Sequence, residues 1–244
     1  MRVAAIASAT WLALAPLAPA AAQAVTTPPE VRQLVTFLFL PGKAADALGI
    51  YESALAPIYR DTPELLRFRA FREVESPEPL DLVIASSYAG MEGMERAAPA
   101  LRRPAADGRT ALHWYGALSA LSQHHHDQFV EMVPTLSDTP HDAEGLIAFE
   151  YLQVVPGRST ELEAAIRAER SRLPRGPQAS VQWSETGRML VADRWTHLRI
   201  HGMRGLADWQ LHLARRKQAA PALDPLVAAR KVILVRGVPS LAIR

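Results

Sequence analysis

The chain has 244 residues, 27 Lys and Arg against 25 Asp and Glu, and a formal net charge of +2. That balance offers no concentrated basic face, so nucleic acid is not an expected partner. There is no cysteine, which excludes disulfides, a thiol nucleophile and thiolate metal sites, and leaves packing to hold the fold.

In chain order, the first segment reads as a secretory address. Arg2 gives a positive start, an Ala-rich apolar stretch runs from Val3 to Leu17, and Ala22-Gln23-Ala24 has the small-x-small form of a cleavage site. Residues 1–24 are therefore expected to be a signal peptide, with the mature chain starting at Val25 and exported to a periplasmic or extracellular space. No later segment is long and apolar enough for a membrane span.

Val31 to Leu40 is apolar and β-rich and ends at Pro41-Gly42, which predicts a strand and a turn. Ala44 to Tyr59 carries Leu48, Tyr51, Leu55 and Ile58 in a helical stripe. Leu66 to Val74 and Leu80 to Tyr88 read as strands, Met91 to Leu101 as a helix, Ala111 to His126 as a longer helix, and Phe129 to Val133 as a closing strand. After a linker at 137–145 the order returns. Leu146 to Val155 is a strand, and a helix runs from a Thr160 cap to about Arg172 with a capping-box start. Ala179 to Ser184 and Arg188 to Leu198 form a hairpin turning at Glu185-Thr186-Gly187. Leu206 to Lys217 is a helix, and Lys231 to Val238 closes the unit.

Three anchors support two copies of one unit of roughly 100 residues. Pro41-Gly42-Lys43 returns as Pro156-Gly157-Arg158, Gly90-Met91-Glu92-Gly93-Met94 as Gly202-Met203-Arg204-Gly205-Leu206, and Val133-Pro134-Thr135-Leu136 as Val238-Pro239-Ser240-Leu241. Each unit, 25–136 and 146–244, is β-α-β-β-α-β, the ferredoxin-like order. One such sheet covered by helices on one side leaves its other face bare. Two units packed sheet to sheet bury both. The expected class is α+β.

This strand, Pro-Gly-basic turn, helix, strand pair, helix and strand resembles the dimeric α/β-barrel superfamily. The stretch Phe149-Glu150-Tyr151-Leu152-Gln153-Val154-Val155-Pro156-Gly157-Arg158 is similar to the opening strand of its NIPSNAP-type and antibiotic-biosynthesis-monooxygenase-like members. The resemblance implies an internally duplicated form, with both halves of the barrel in one chain. It admits cofactor-free monooxygenases, haem-binding and haem-degrading proteins and isomerases, and transfers no catalytic residue.

The inward strand faces are expected to offer Phe37, Phe39, Phe68, Phe149, Tyr151, Trp183 and Trp195, with His197 beside them. These aromatics motivate a small apolar or aromatic ligand held between the sheets. His124-His125-His126-Asp127 reads as a solvated helix end. As a metal site it would use His124, His126 and Asp127 with help from His141 or Asp142, and suit a divalent ion such as zinc or copper. His197, His201 or His113 in a cavity would suit a general base or haem ligand. No cofactor is demanded by the sequence. The run Arg215-Arg216-Lys217 reads as a solvated helix end, or as part of a docking surface were the duplication purely architectural.

Overall fold

In the computed structural model the described residues are 28–105, 107–138, 145–174, 179–219 and 222–243. The proposed leader, most of the linker, His141 and Asp142 lie outside them. Eight antiparallel strands close into one barrel in the order β1-β3-β2-β8-β5-β7-β6-β4. They are β1 (Glu30–Phe39), β2 (Leu65–Glu75), β3 (Leu82–Ala89), β4 (Ser122–Met132), β5 (Leu146–Val154), β6 (Trp183–Val191), β7 (His197–Met203) and β8 (Val227–Gly237). The halves thus do more than stack their sheets. Their edges hydrogen-bond, β2 to β8 and β4 to β6, which leaves no edge strand open.

The pairings repeat between halves. Val35 faces Ile84 across β1 and β3, and Glu150 faces Arg199 across β5 and β7. Phe71 meets Gly237 at one seam and Met132 meets Gly187 at the other. This register corrects the middle sequence anchor. Gly90 opens the helix after β3 with φ of 73°, and Gly205, which follows β7, is its counterpart; Gly202 lies inside β7.

The helices form an outer layer. They are α1 (Ala44–Ile50), α2 (Ala56–Arg60), α3 (Gly90–Leu101), α4 (Ala111–Leu121), α5 (Ser159–Arg172) and α6 (Leu206–Ala219). A π-helical turn, Tyr51–Leu55, joins α1 to α2. Pro57 lies just beyond it and has no N–H to continue the ladder. Helix α5 starts one residue before the expected Thr160 cap. Arg158 holds the cap position and pairs with Glu161 instead of a capping box forming. Lys43 and Asp46 repeat that pair before α1 at 2.9 Å, so neither Pro-Gly-basic turn leaves its cation unpartnered.

Two further expectations change. Helix α4 ends at Leu121 and the chain passes directly into β4, so the histidine run lies on a strand. The second hairpin turns at 192–196, and Glu185-Thr186-Gly187 sits within β6. No helix among the described residues is long and apolar enough to cross a membrane.

Strand alternation sorts the core into layers. Inside the barrel lie Leu34, Phe71, Val83, Phe149, Tyr151, Trp183, Trp195, Ile200 and Ile233. Phe37, Phe39 and Phe68 point the other way, into the layer under the first half's helices with Tyr51, Tyr59 and Leu118. Each fully buried side chain of this kind contributes roughly 1.5–3 kcal/mol.

Candidate functional site

The barrel has two ends, and one is a mouth with room for a ligand. It is bounded by the β2–β3 connection, with Glu78, and the β6–β7 connection, with Asp193 and Trp195; the cavity there is about 290 Å³. Strands β4 and β8 stand opposite one another in the closed order. On β4 the alternation turns His124, His126 and Gln128 towards the cavity, and on β8 it turns Lys231 and Ile233.

Lys231 organises one wall. Its ammonium lies 2.9 Å from Glu78 Oε2, 5.3 Å from the Tyr151 ring centroid and 5.6 Å from that of Trp195. These are cation–π contacts. Arg194 also lies over Trp195, at 4.7 Å. Burial, with the Glu78 charge, pushes the Tyr151 hydroxyl well above its ordinary range, so it stays a phenol. The other wall is polar and incomplete. Gln128 is 3% exposed, yet its Oε1 has no hydrogen-bond partner. His126 Nε2 is also buried without one, 3.6 Å from Asp193 Oδ2.

The metal candidates do not converge. Asp127 faces the helices, where it accepts a hydrogen bond from Gln33 Nε2 at 2.8 Å, while His124 and His126 face the barrel. Among the described residues no group of three or more His, Asp or Glu could hold a metal ion.

The opposite end is plugged. Arg32 is buried against Glu185 at 2.8 Å and Glu30 at 2.6 Å, and Arg67 joins Glu30 at 2.7 Å. Burial raises the Glu30 pKa, but Arg32 and Arg67 outweigh it and hold the carboxyl down at about 2. The remaining space, beside Trp183 and Phe149, is about 30 Å³, enough for a water. Trp183 therefore belongs to this end and not to the mouth.

His197 is a correction as well. It does not share the barrel interior with Trp195. It faces α5, with Nε2 3.5 Å from Glu163 Oε1, and burial lowers its pKa. The same layer holds a buried ionic cluster. Glu150 of β5 meets Arg216 of α6 and Arg230 of β8 (3.0 Å), and Arg199 of β7 meets Glu169 of α5 (2.6 Å). Arg216 is thus buried, not a solvated helix end. The rings of His201 and His212 meet at a tilt of 44°, with centroids 4.9 Å apart. Both are at most 1% exposed and wrapped by Trp209, Arg199 and Glu150. His113 lies in α4, its ring against Trp114.

His197 and His201 are enclosed by the helix layer and His113 is exposed on α4, so none of the three turns a ring nitrogen into the mouth for a haem iron to meet, and no step below uses that group.

Of the aromatic ligand candidates, the structure brings Tyr151 and Trp195 to the mouth with His124 and His126, and Phe37 reaches its edge from the helix side. It does not bring Phe39, Phe68, Trp183 or His197 there. Sequence reasoning missed Gln128, Lys231 and Glu78. The period-two pattern through β4 and β8 was the signal available for the first two, once the histidine run is placed on a strand.

No protein-family model matches the chain, and no curated protein does. Solved structures share its fold. A candidate monooxygenase from Lactobacillus acidophilus NCFM aligns with a TM-score of 0.63 and 8% identity, over 88% of this chain and 96% of its own. An anthrone oxidase-like protein aligns at 0.57 and 11%, over 86% and 92%. Chlorite dismutase from Candidatus Nitrospira defluvii, in complex with imidazole, aligns at 0.54 and 10%, over 86% and 92%. At these identities the likeness shows the fold. The chain shares with them the fold of a dimeric α/β barrel, with both ferredoxin-like halves in one polypeptide.

Proposed function

We propose that the protein binds a small aromatic molecule in the mouth of its barrel, between the Tyr151–Trp195–Lys231 wall and the His124–His126–Gln128 wall. The observation that carries this is the cavity of about 290 Å³ where two aromatic rings meet buried polar atoms without partners. It lies at the low end of ligand-site volumes. The test is a titration of small aromatics followed by tryptophan fluorescence. Saturable quenching that disappears in Trp195→Phe supports the reading. Saturable binding that survives both Trp195→Phe and a blocking Ile233→Trp places the ligand elsewhere and ends it.

A catalytic use of the same mouth is favoured by His126 and Asp193, 3.6 Å apart on its rim. An imidazole beside a carboxylate is suited to take a proton from a bound acid. Same-fold proteins described as a candidate monooxygenase and as anthrone oxidase-like support the search for oxygenase-type activity. Oxygen uptake with an aromatic substrate, lost in His126→Phe, is the expected result; turnover indifferent to His126 and Asp193 overturns it.

The leader-like residues 1–24 lead us to propose that this binding takes place outside the cytoplasm. Finding the mature protein with Val25 at its N-terminus in a periplasmic or secreted fraction is the outcome expected.

A further inference from the structure

We infer that the occupant of the mouth is a phenol: a ring whose hydroxyl donates to Gln128 Oε1 and whose far end meets His126. This rests on the binding reading above and adds the chemical class of the ligand.

The first observation is the amide itself. Gln128 is 3% exposed, lines the cavity, and leaves its Oε1 without a partner. A buried acceptor left unmade is destabilising. The fold does not require it. Leu34 faces Gln128 across β1 and β4, and Phe149, the counterpart of Leu34, faces Ile233 across β5 and β8. The repeated half fills the equivalent place with hydrocarbon. What distinguishes the two positions is that Gln128 presents an acceptor to a cavity, and a hydrocarbon ring bound there would leave it unsatisfied. An O–H would satisfy it.

The second observation is His126, whose Nε2 is buried with no hydrogen-bond partner, Asp193 Oδ2 lying 3.6 Å away, on the same face of β4 two residues along. Side chains two apart on a strand are separated by roughly 6.6 Å, about the span of an aromatic ring with its substituents. Between them the cavity is lined by Leu80, Ile233, Tyr151 and Trp195. Two polar ends with an apolar middle describe a ring carrying oxygen at both ends, with a donor at the Gln128 end.

The test compares para-nitrophenol, which has a hydroxyl and a nitro group at opposite ends, with its methyl ether para-nitroanisole, which lacks the donor, in a buffer acidic enough that the nitrophenol keeps its proton. Binding to the intact protein is followed by tryptophan quenching and by calorimetry. The expected result is that para-nitrophenol binds about tenfold more tightly, the ratio one buried hydrogen bond supplies. Gln128→Met should bring that ratio to about one, leave para-nitroanisole unaffected, and raise the thermal midpoint by a few degrees by removing an unpaired carbonyl. Equal binding of both probes by the wild-type protein, with Trp195-dependent quenching, overturns the phenol inference and leaves the aromatic site standing. Binding of neither probe overturns both. A Gln128→Met protein that keeps the tenfold preference overturns the role of the amide. The wild-type ratio decides the matter even where the variant fails to fold.

Discussion

Glu150 and Arg199 face each other across β5 and β7 where Val35 and Ile84 face each other across β1 and β3. One half therefore holds its helices on the sheet with hydrocarbon and aromatic rings, and the other with buried charge. In the second half two apolar clusters, one around Leu162 and Ile166 and one around Trp209 and Met203, flank the ionic group.

Removing the anion at its centre should be severe. Glu150 is fully buried and answers Arg216 and Arg230 directly, with Arg199 3.5 Å away. Glu150→Gln leaves those guanidinium groups under-compensated in a low-dielectric layer. A loss of about 3–5 kcal/mol is expected, seen as a lower urea midpoint with an unchanged slope. A loss below about 1 kcal/mol would mean that the cluster is hydrated and behaves like surface charge.

The same layer makes stability fall in acid. Burial lowers the pKa of His212 to about 2, with His201, Arg199 and Arg216 adding to the effect and Glu150 opposing it. The unfolded histidine titrates near 6.5. Between these values the unfolded chain binds a proton that the folded chain refuses, so stability is full above about pH 6.5 and declines as pH falls. His201 acts in the same direction. Glu150 is driven up by burial, but His201, Arg216 and Arg199 outweigh that and hold its carboxyl well below the carboxylate range. Its contribution is present above about pH 4.5 and lost below it. His212→Phe should leave stability at pH 8 nearly unchanged and flatten the decline between pH 6.5 and 5 by about 1.4 kcal/mol per pH unit. An unchanged slope would show that the ring is protonated in the fold.

Closure of the barrel depends on a missing side chain. At Gly187, where β6 meets β4, a Cβ would collide with the Val130 side chain and lie 3.0 Å from the Glu131 carbonyl oxygen and 3.1 Å from Met132 Sδ. The backbone atom cannot retreat without opening the seam. Gly187→Ala should destabilise by about 1–3 kcal/mol and speed hydrogen exchange on β4 and β6 before other strands. Uniform exchange across the barrel would place the strain elsewhere.

Gly187 also shows where the sequence misled. Glu185-Thr186-Gly187 has turn chemistry, but its glycine is there to let β4 come close. The histidine run reads as the end of α4 because Leu112, Tyr115, Leu118 and Leu121 keep a spacing of three up to it, and no Gly or Pro marks the change at Ser122. The faces of β1 could not be told apart by pattern, since Leu34 is buried in the barrel and Phe37 and Phe39 under the helices; a strand covered on both sides has no polar side to orient it. The element order survived these errors because the Pro-Gly turns after β1 and β5 and the Val-Pro turns after β4 and β8 are local signals. The site did not, because Gln128, Lys231 and Glu78 meet only when β4, β8 and the β2–β3 connection are brought to one end of the barrel. Glu150 was visible throughout as a lone charge between Phe149 and Tyr151 in an apolar strand.

The ion pair on the rim of the mouth should govern passage more than stability. Glu78, on the β2–β3 connection, is 67% exposed and bridges to Lys231 of β8 at 2.9 Å, and the Lys231 contact lowers its pKa. A pair this open contributes less than about 1 kcal/mol to folding. It nevertheless ties the connection to the ammonium that caps Tyr151 and Trp195. Glu78→Gln should leave the thermal midpoint within a few degrees, while stopped-flow quenching shows para-nitrophenol entering and leaving several-fold faster with little change in affinity. High salt should do the same to the wild-type protein, since it screens an exposed pair, and should have no further effect on Glu78→Gln. Rates that respond to salt equally in both proteins would remove the pair from control of the mouth.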